Sequence, residues 1–127
     1  MNSPVTPGSL APPAAQYSHA VMSVGAQRLL HTSGVVPVAP DGAVPTGLVD
    51  QAQVVWANLQ AILEAAEMTV GDVVSITTYA VQGEDLGTVM AARDEAMAGH
   101  RPASTLVVVP ALARPEWRLE ISLVAAR

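Results

Sequence analysis

The sequence contains no cysteine and no lysine. Without cysteine there is no disulfide, no thiolate metal ligand and no cysteine nucleophile. Without lysine, all side-chain positive charge apart from histidine rests on six arginines, set against eleven acids for a net charge of −5. A nucleic-acid partner needs a basic footprint to displace phosphate counterions, and none is visible, so RNA or DNA binding and cleavage are not expected. The three histidines, His19, His31 and His100, lie far apart without metal-ligand spacing, and no metal is expected. No apolar run approaches a membrane span. The first ten residues have neither a basic start nor an apolar middle, so a cytoplasmic chain with no membrane partner is expected.

Charge of either sign is also scarce. Charged residues make up 13% of the chain, against about 25% in ordinary soluble domains. Hydrophobic residues make up 50%. A single small domain with so apolar a surface is expected to bury a second face in a homo-oligomer. An enrichment in alanine, valine and glycine would raise the same figure without any interface.

At 127 residues the chain is long enough for one core. Residues 1–15 hold four of the ten prolines without periodicity and read as an extended arm; residues 16–127 read as one domain. Ala20–Val24 and Arg28–Val36 are β-prone runs around Gly25, and their spacing predicts a hairpin. The clearest helix follows, with Leu48, Ala52, Val55, Leu59, Ile62, Leu63 and Ala66 on one face. Asp50, Gln51, Gln53, Asn58, Gln60, Glu64 and Glu67 cover most of the remainder. Val73–Val81 reads as a strand, and Leu86, Val89, Met90, Arg93, Ala96 and Met97 mark a second helix capped near Gly99. Ser104–Val109 and Trp117–Ala125 read as the closing strands. The order β-β-α-β-α-β-β predicts an α+β fold, a mixed sheet with both helices on one face. In the last strand Leu119, Ile121, Leu123 and Ala125 alternate with Arg118, Glu120, Ser122 and Val124. If the apolar set meets the helices, Glu120 points to the open face, shared with Ser75 and Thr77, and a symmetric copy would cover it.

Several segments, in order and at matching separations, resemble the Rid family, also called YjgF-type reactive intermediate deaminases. Gln16-Tyr17-Ser18-His19-Ala20-Val21 is similar to the family's Pro-Tyr-Ser-x-Ala-Val opening. Ser33-Gly34-Val35-Val36-Pro37 is similar to its Ser-Gly-x-x-Pro strand end. Asn58-Leu59 through Leu63 and Ala66 resembles its Asn-Leu-x-x-x-Leu-x-x-Ala helix, and Gly71-Asp72-Val73-Val74 and Leu119-Glu120-Ile121 also fit. The resemblance implies a chorismate-mutase-like fold, a homotrimer with clefts between subunits, and hydrolysis of small imines or enamines to carbonyl compounds and ammonia, with no cofactor.

Carried over residue by residue, the resemblance places Tyr17 and the strand-end pair Ser33 and Gly34 in the cleft, with Glu120 holding or activating water. The family's carboxylate-binding arginine follows Pro-Ala; here Pro102-Ala103 is followed by Ser104. The family asparagine of the second helix falls at Met90. Ser104, Thr105 and Leu106 are expected to form the cleft wall opposite Glu120, and Ser104→Arg to confer activity on small 2-imino acids. Arg101 and Arg114 are the other cations close in sequence, and Arg118 is expected to pair with Glu120. Losing the arginine argues against the standard small 2-imino acids, because truncating a buried charge pair costs about 2–5 kcal/mol. The expected activity is therefore deamination of another imine, enamine or related reactive intermediate. The other reading is a non-catalytic trimer whose clefts bind a metabolite or a partner protein.

Overall fold

A computed structural model describes residues 1–127. The strands are β1 (Asn2–Val5), β2 (Ala20–Ser23), β3 (Leu29–His31), β4 (Val73–Val81), β5 (Ala103–Val109) and β6 (Leu119–Ala126). The helices are α1 (Leu48–Ala65) and α2 (Leu86–Met97), with a 3₁₀ turn at Val70–Asp72. The main sheet has the order β3-β6-β4-β5, parallel only between β4 and β5, where α2 makes the crossover. This is the α+β architecture expected from the sequence.

The helix stripe and the strand alternation share one core. Val55, Leu59 and Leu63 of α1 and Val89 and Met97 of α2 pack on Ile76, Ala80, Leu119, Ile121 and Leu123. Asp85 caps α2, accepting from the Gly87 amide at 3.0 Å and the Thr88 hydroxyl at 2.9 Å. Ala98 and Gly99 end α2 in the left-handed region, with φ of 49° and 89°. Gly99 therefore sits where a C-terminal glycine belongs.

One pairing expectation fails. Ala20–Ser23 and Leu29–His31 do not pair as a hairpin. β2 pairs antiparallel with β1 in a small separate sheet, and β3 pairs with the end of β6. The Arg127 carbonyl accepts from both the Gln27 and Arg28 amides, drawing β3 onto the edge of β6 and away from β2. Long-range pairing thus overrides the local turn signal. The N-terminal arm is accordingly ordered at its start, where Pro4 is tolerated in an edge strand.

Gln51 also departs from its reading as part of a polar helix face. It is 1% exposed, and its amide ties three loop groups together. Nε2 donates to the Pro45 and Glu116 carbonyls at 2.7 and 2.8 Å, and Oε1 accepts from the Arg118 amide at 2.9 Å. That clamp sets where β6 begins.

Candidate functional site

Glu120 is the second residue of β6 and sits opposite Tyr79 in β4. Its neighbours Leu119 and Ile121 face the core, so alternation turns Glu120 to the other face. Thr77 opposite Ser122 and Ser75 opposite Val124 continue that face. The semi-polar open face read from the sequence is present.

Residues 32–35 bend over the same part of β6. The Thr32 amide donates to the Leu123 carbonyl at 3.0 Å, and the Thr32 hydroxyl accepts from the Leu123 amide at 3.0 Å. Val35 and Ile121 exchange both backbone hydrogen bonds, at 2.7 and 3.0 Å. Ser33 and Gly34 lie between these anchors, and the Glu120 side chain packs onto the Gly34 Cα. A methyl group at position 34 would stand 2.7 Å from the Glu120 Cδ and 3.0 Å from its Cγ, closer still to Oε2. Glycine here lets the Glu120 side chain lie this close; its φ is not in the left-handed region, so the close approach and not the backbone is what a side chain would disturb.

Four carboxylates are partly buried: Asp72, Glu84, Asp94 and Glu120. Asp72 accepts from the Thr69 amide, Glu84 pairs with Arg118 at 2.6 Å and Asp94 pairs with Arg93 at 3.0 Å. Glu120 alone has no hydrogen-bond or ion-pair partner within the chain. The expected Arg118–Glu120 pair is absent because Arg118 reaches outward to Glu84 and to the Thr46 carbonyl.

The other expected site residues lie elsewhere. Tyr17 is at the start of β5, where Ser18 bridges Ala103 and donates its amide to the Pro102 carbonyl at 3.0 Å. Ala103 pairs with Ser75, and Glu120 with Tyr79, four residues further along β4. That separation is roughly 13 Å along the strand. Ser33, Gly34 and Glu120 are thus together, and Tyr17 is apart from them. Thr105 shares the open face, paired with Thr77. Ser104 and Leu106 do not: they pair with Ile76 and Thr78, buried on the helix side. The expectation that Ser104 lies opposite Glu120 is corrected by this parity. Met90 is half-buried on α2.

The sequence reading missed the role of Arg93. This arginine, 7% exposed, donates from Nη1 to the Ser104 hydroxyl at 3.1 Å and from Nε and Nη2 to Asp94. Its place among the apolar positions of α2 was the available signal. An arginine at position 104 would therefore meet a second guanidinium, not an open cleft. His100 is partly buried, with its Nε2 2.7 Å from the Val73 carbonyl.

The largest cavity, about 480 Å³, lies at the Tyr17 end between the N-terminal arm and the α2–β5 loop. No group of three or more histidines and acids is placed to hold a metal ion, and no helix is long and apolar enough to cross a membrane.

Residues 8–127 match the family profile described as Endoribonuclease L-PSP. The chain is 34% identical over 111 residues to the 2-iminobutanoate/2-iminopropanoate deaminase of Escherichia coli K12, covering 84% of this chain and 86% of that protein. Among solved structures, YyfB of the Rid family from Yersinia pestis superposes with a TM-score of 0.89 at 32% identity, over 99% of this chain and 98% of the other. E. coli TdcF with bound serine superposes with a TM-score of 0.73 at 30% identity, over 95% and 92%.

Proposed function

The chain belongs to the Rid/YjgF family, whose profile carries the endoribonuclease L-PSP description, and from that premise we propose that it hydrolyses an imine or enamine to a carbonyl compound and ammonia. The observation that carries this reading is the half-buried Glu120 carboxylate, left without an internal partner against Gly34. A carboxylate so placed is free to take a proton from water and return it to a leaving nitrogen. Water adds to the C=N carbon while Glu120 accepts its proton. The same proton passes to nitrogen to give the neutral carbinolamine; the hydroxyl proton then moves through Glu120 to the amine, the C–N bond breaks, and ammonia leaves as the hydroxyl oxygen becomes the carbonyl. No redox cofactor or metal is needed for that balance.

Tyr17 is the proposed second member of the site, contributed by a neighbouring protomer of a homotrimer. The separation of Tyr17 from Glu120 within one chain supports a shared site. So do the outer edge of β5 beyond the Ser18–Ala103 bridge, which no strand covers, and the exposed Val107 and Val108 on it. Ser33, Gly34 and Thr105 would line the cleft, with Met90, Ser104 and Leu106 behind it. Ser104, turned to Arg93, supplies no cation for a carboxylate, so imines other than the two named for the E. coli relative are the proposed substrates. The acidic, lysine-free composition gives no footing for RNA cleavage.

Imines released in situ from a panel of amino acids by an amino-acid oxidase, with 2-iminopropanoate and 2-iminobutanoate included, test the reading through accelerated ammonia release. Turnover of bulkier imines in preference to those two is expected. Absence of turnover across the panel overturns it and leaves a trimer that binds a metabolite without converting it.

A further inference from the structure

Four of the six arginines have partners for their side chains within the chain. Arg28 donates to the Ala66 and Glu67 carbonyls, Arg93 to Asp94 and Ser104, Arg118 to Glu84 and the Thr46 carbonyl, and Arg127 to the Glu67 carbonyl beside Asp72. The guanidinium groups of Arg101 and Arg114 have no such partner. Arg114 lies in the exposed β5–β6 loop and lines no cavity. Arg101 lines the largest one.

The composition of that cavity is unlike the other three. No carboxylate lines it, whereas Glu95 lines two of the others, and Glu84 and Glu116 line the third. In a molecule of net charge −5 it is the one concavity with a cation and no acid. Tyr17 also lines it, and its hydroxyl has no hydrogen-bond partner within the chain. The backbone beneath is fixed: the Ser18 hydroxyl donates to the Arg101 carbonyl, and the Ser18 amide to that of Pro102. Asn2, Ser3, Pro4 and Thr6 of the N-terminal arm close the far side, held there by the β1–β2 ladder.

We propose that this cavity is an anion site in which Arg101 takes a carboxylate through its planar fork and the Tyr17 hydroxyl donates beside it. The inference rests on the deaminase reading only in identifying the anion as the acid group of the imine. The cation comes from Arg101, at the arm side of β5, and not from position 104, which faces Arg93. The expected ligand class is therefore imines of acids bulkier than four carbons, whose acid group reaches a cavity of about 480 Å³.

The test is calorimetric titration with 4-methyl-2-oxopentanoate, the hydrolysis product of such an imine, and with its neutral amide. Arg101 is exposed and its side chain makes no internal hydrogen bond, so Arg101→Gln should fold normally, and Arg114→Gln serves as the control. Arg101→Gln is expected to weaken binding of the acid by about 10- to 100-fold, the range of a hydrogen bond to a charged group. Arg114→Gln should change nothing, and the amide should bind the parent no better than the acid binds Arg101→Gln. Equal affinity of parent and Arg101→Gln for the acid, equal affinity of the parent for acid and amide, or no binding by the parent each overturns the anion site. Imine turnover measured on the same preparations separates the two readings. Turnover unaffected by Arg101→Gln sinks the anion site alone, whereas Arg101-dependent binding without any turnover sinks the deaminase alone.

Discussion

Gly34→Ala should separate catalysis from folding. The added methyl would begin 2.7 Å from the Glu120 Cδ. Ordinary carbon contact starts near 3.4 Å, so the carboxylate must retreat by at least about 0.7 Å, and Oε2 by more. The backbone at Gly34 is open to any L residue, and Glu120 is half-exposed with no partner to lose. Relaxation therefore costs only an adjusted rotamer, about 0.5–1.5 kcal/mol. A reacting group displaced by 1 Å can lose about 10²-fold in rate. The variant should unfold within a few degrees of the parent while kcat/KM for the best imine falls by about two orders of magnitude. Because both changes act through one carboxylate, adding Glu120→Gln to Gly34→Ala should cost almost nothing more. A folded Gly34→Ala protein with parental kcat/KM would refute the reasoning, as would fully additive losses.

The clamp at Gln51 gives a stability prediction. Gln51→Leu leaves the Pro45 and Glu116 carbonyls and the Arg118 amide without their partner, costing about 2–4 kcal/mol; Tm should fall by roughly 10 °C, as calorimetry would read. Ser104→Arg brings two guanidinium groups together over Ile76 and should lower Tm without creating activity on 2-iminopropanoate. A gain of that activity would show the strand turned the other way. Glu120→Gln and Tyr17→Phe protomers, each weak alone, should recover part of the activity when refolded together, because a shared site then pairs one intact half from each. Failure of all mixtures to recover activity would place both groups in one protomer's site.

Much of the fold was legible because it is local and periodic. The α1 stripe, the alternation of β4 and β6 and the left-handed end of α2 each follow from residue spacing. β4 spans Val73–Val81 as read. The partners of β2 and β3 were not legible, because each pairs with a strand from a distant part of the chain, β1 and β6. Glu120 and Gly34 were legible as a resemblance, and the packing of one on the other gives that resemblance a steric cause. Ser104 was misplaced because matching a motif fixes order along a strand but not parity; a shift of one residue changes faces. Arg93 was hidden by its apolar surroundings, and Gln51 by the rule that polar helix residues face water. Membership in the family sets the fold, while the chemistry has to be tested at the site.

The most direct measurement is the rate of ammonia release by Glu120→Gln against the parent on the imine panel, with unfolding followed on the same samples. Glu120 makes no ion pair or hydrogen bond within the chain, so the amide should leave Tm unchanged while removing the group that moves the proton. A fall of about 10²-fold or more in kcat, at unaltered stability, is the expected result. A rate equal to the parent's would contradict a catalytic role for Glu120.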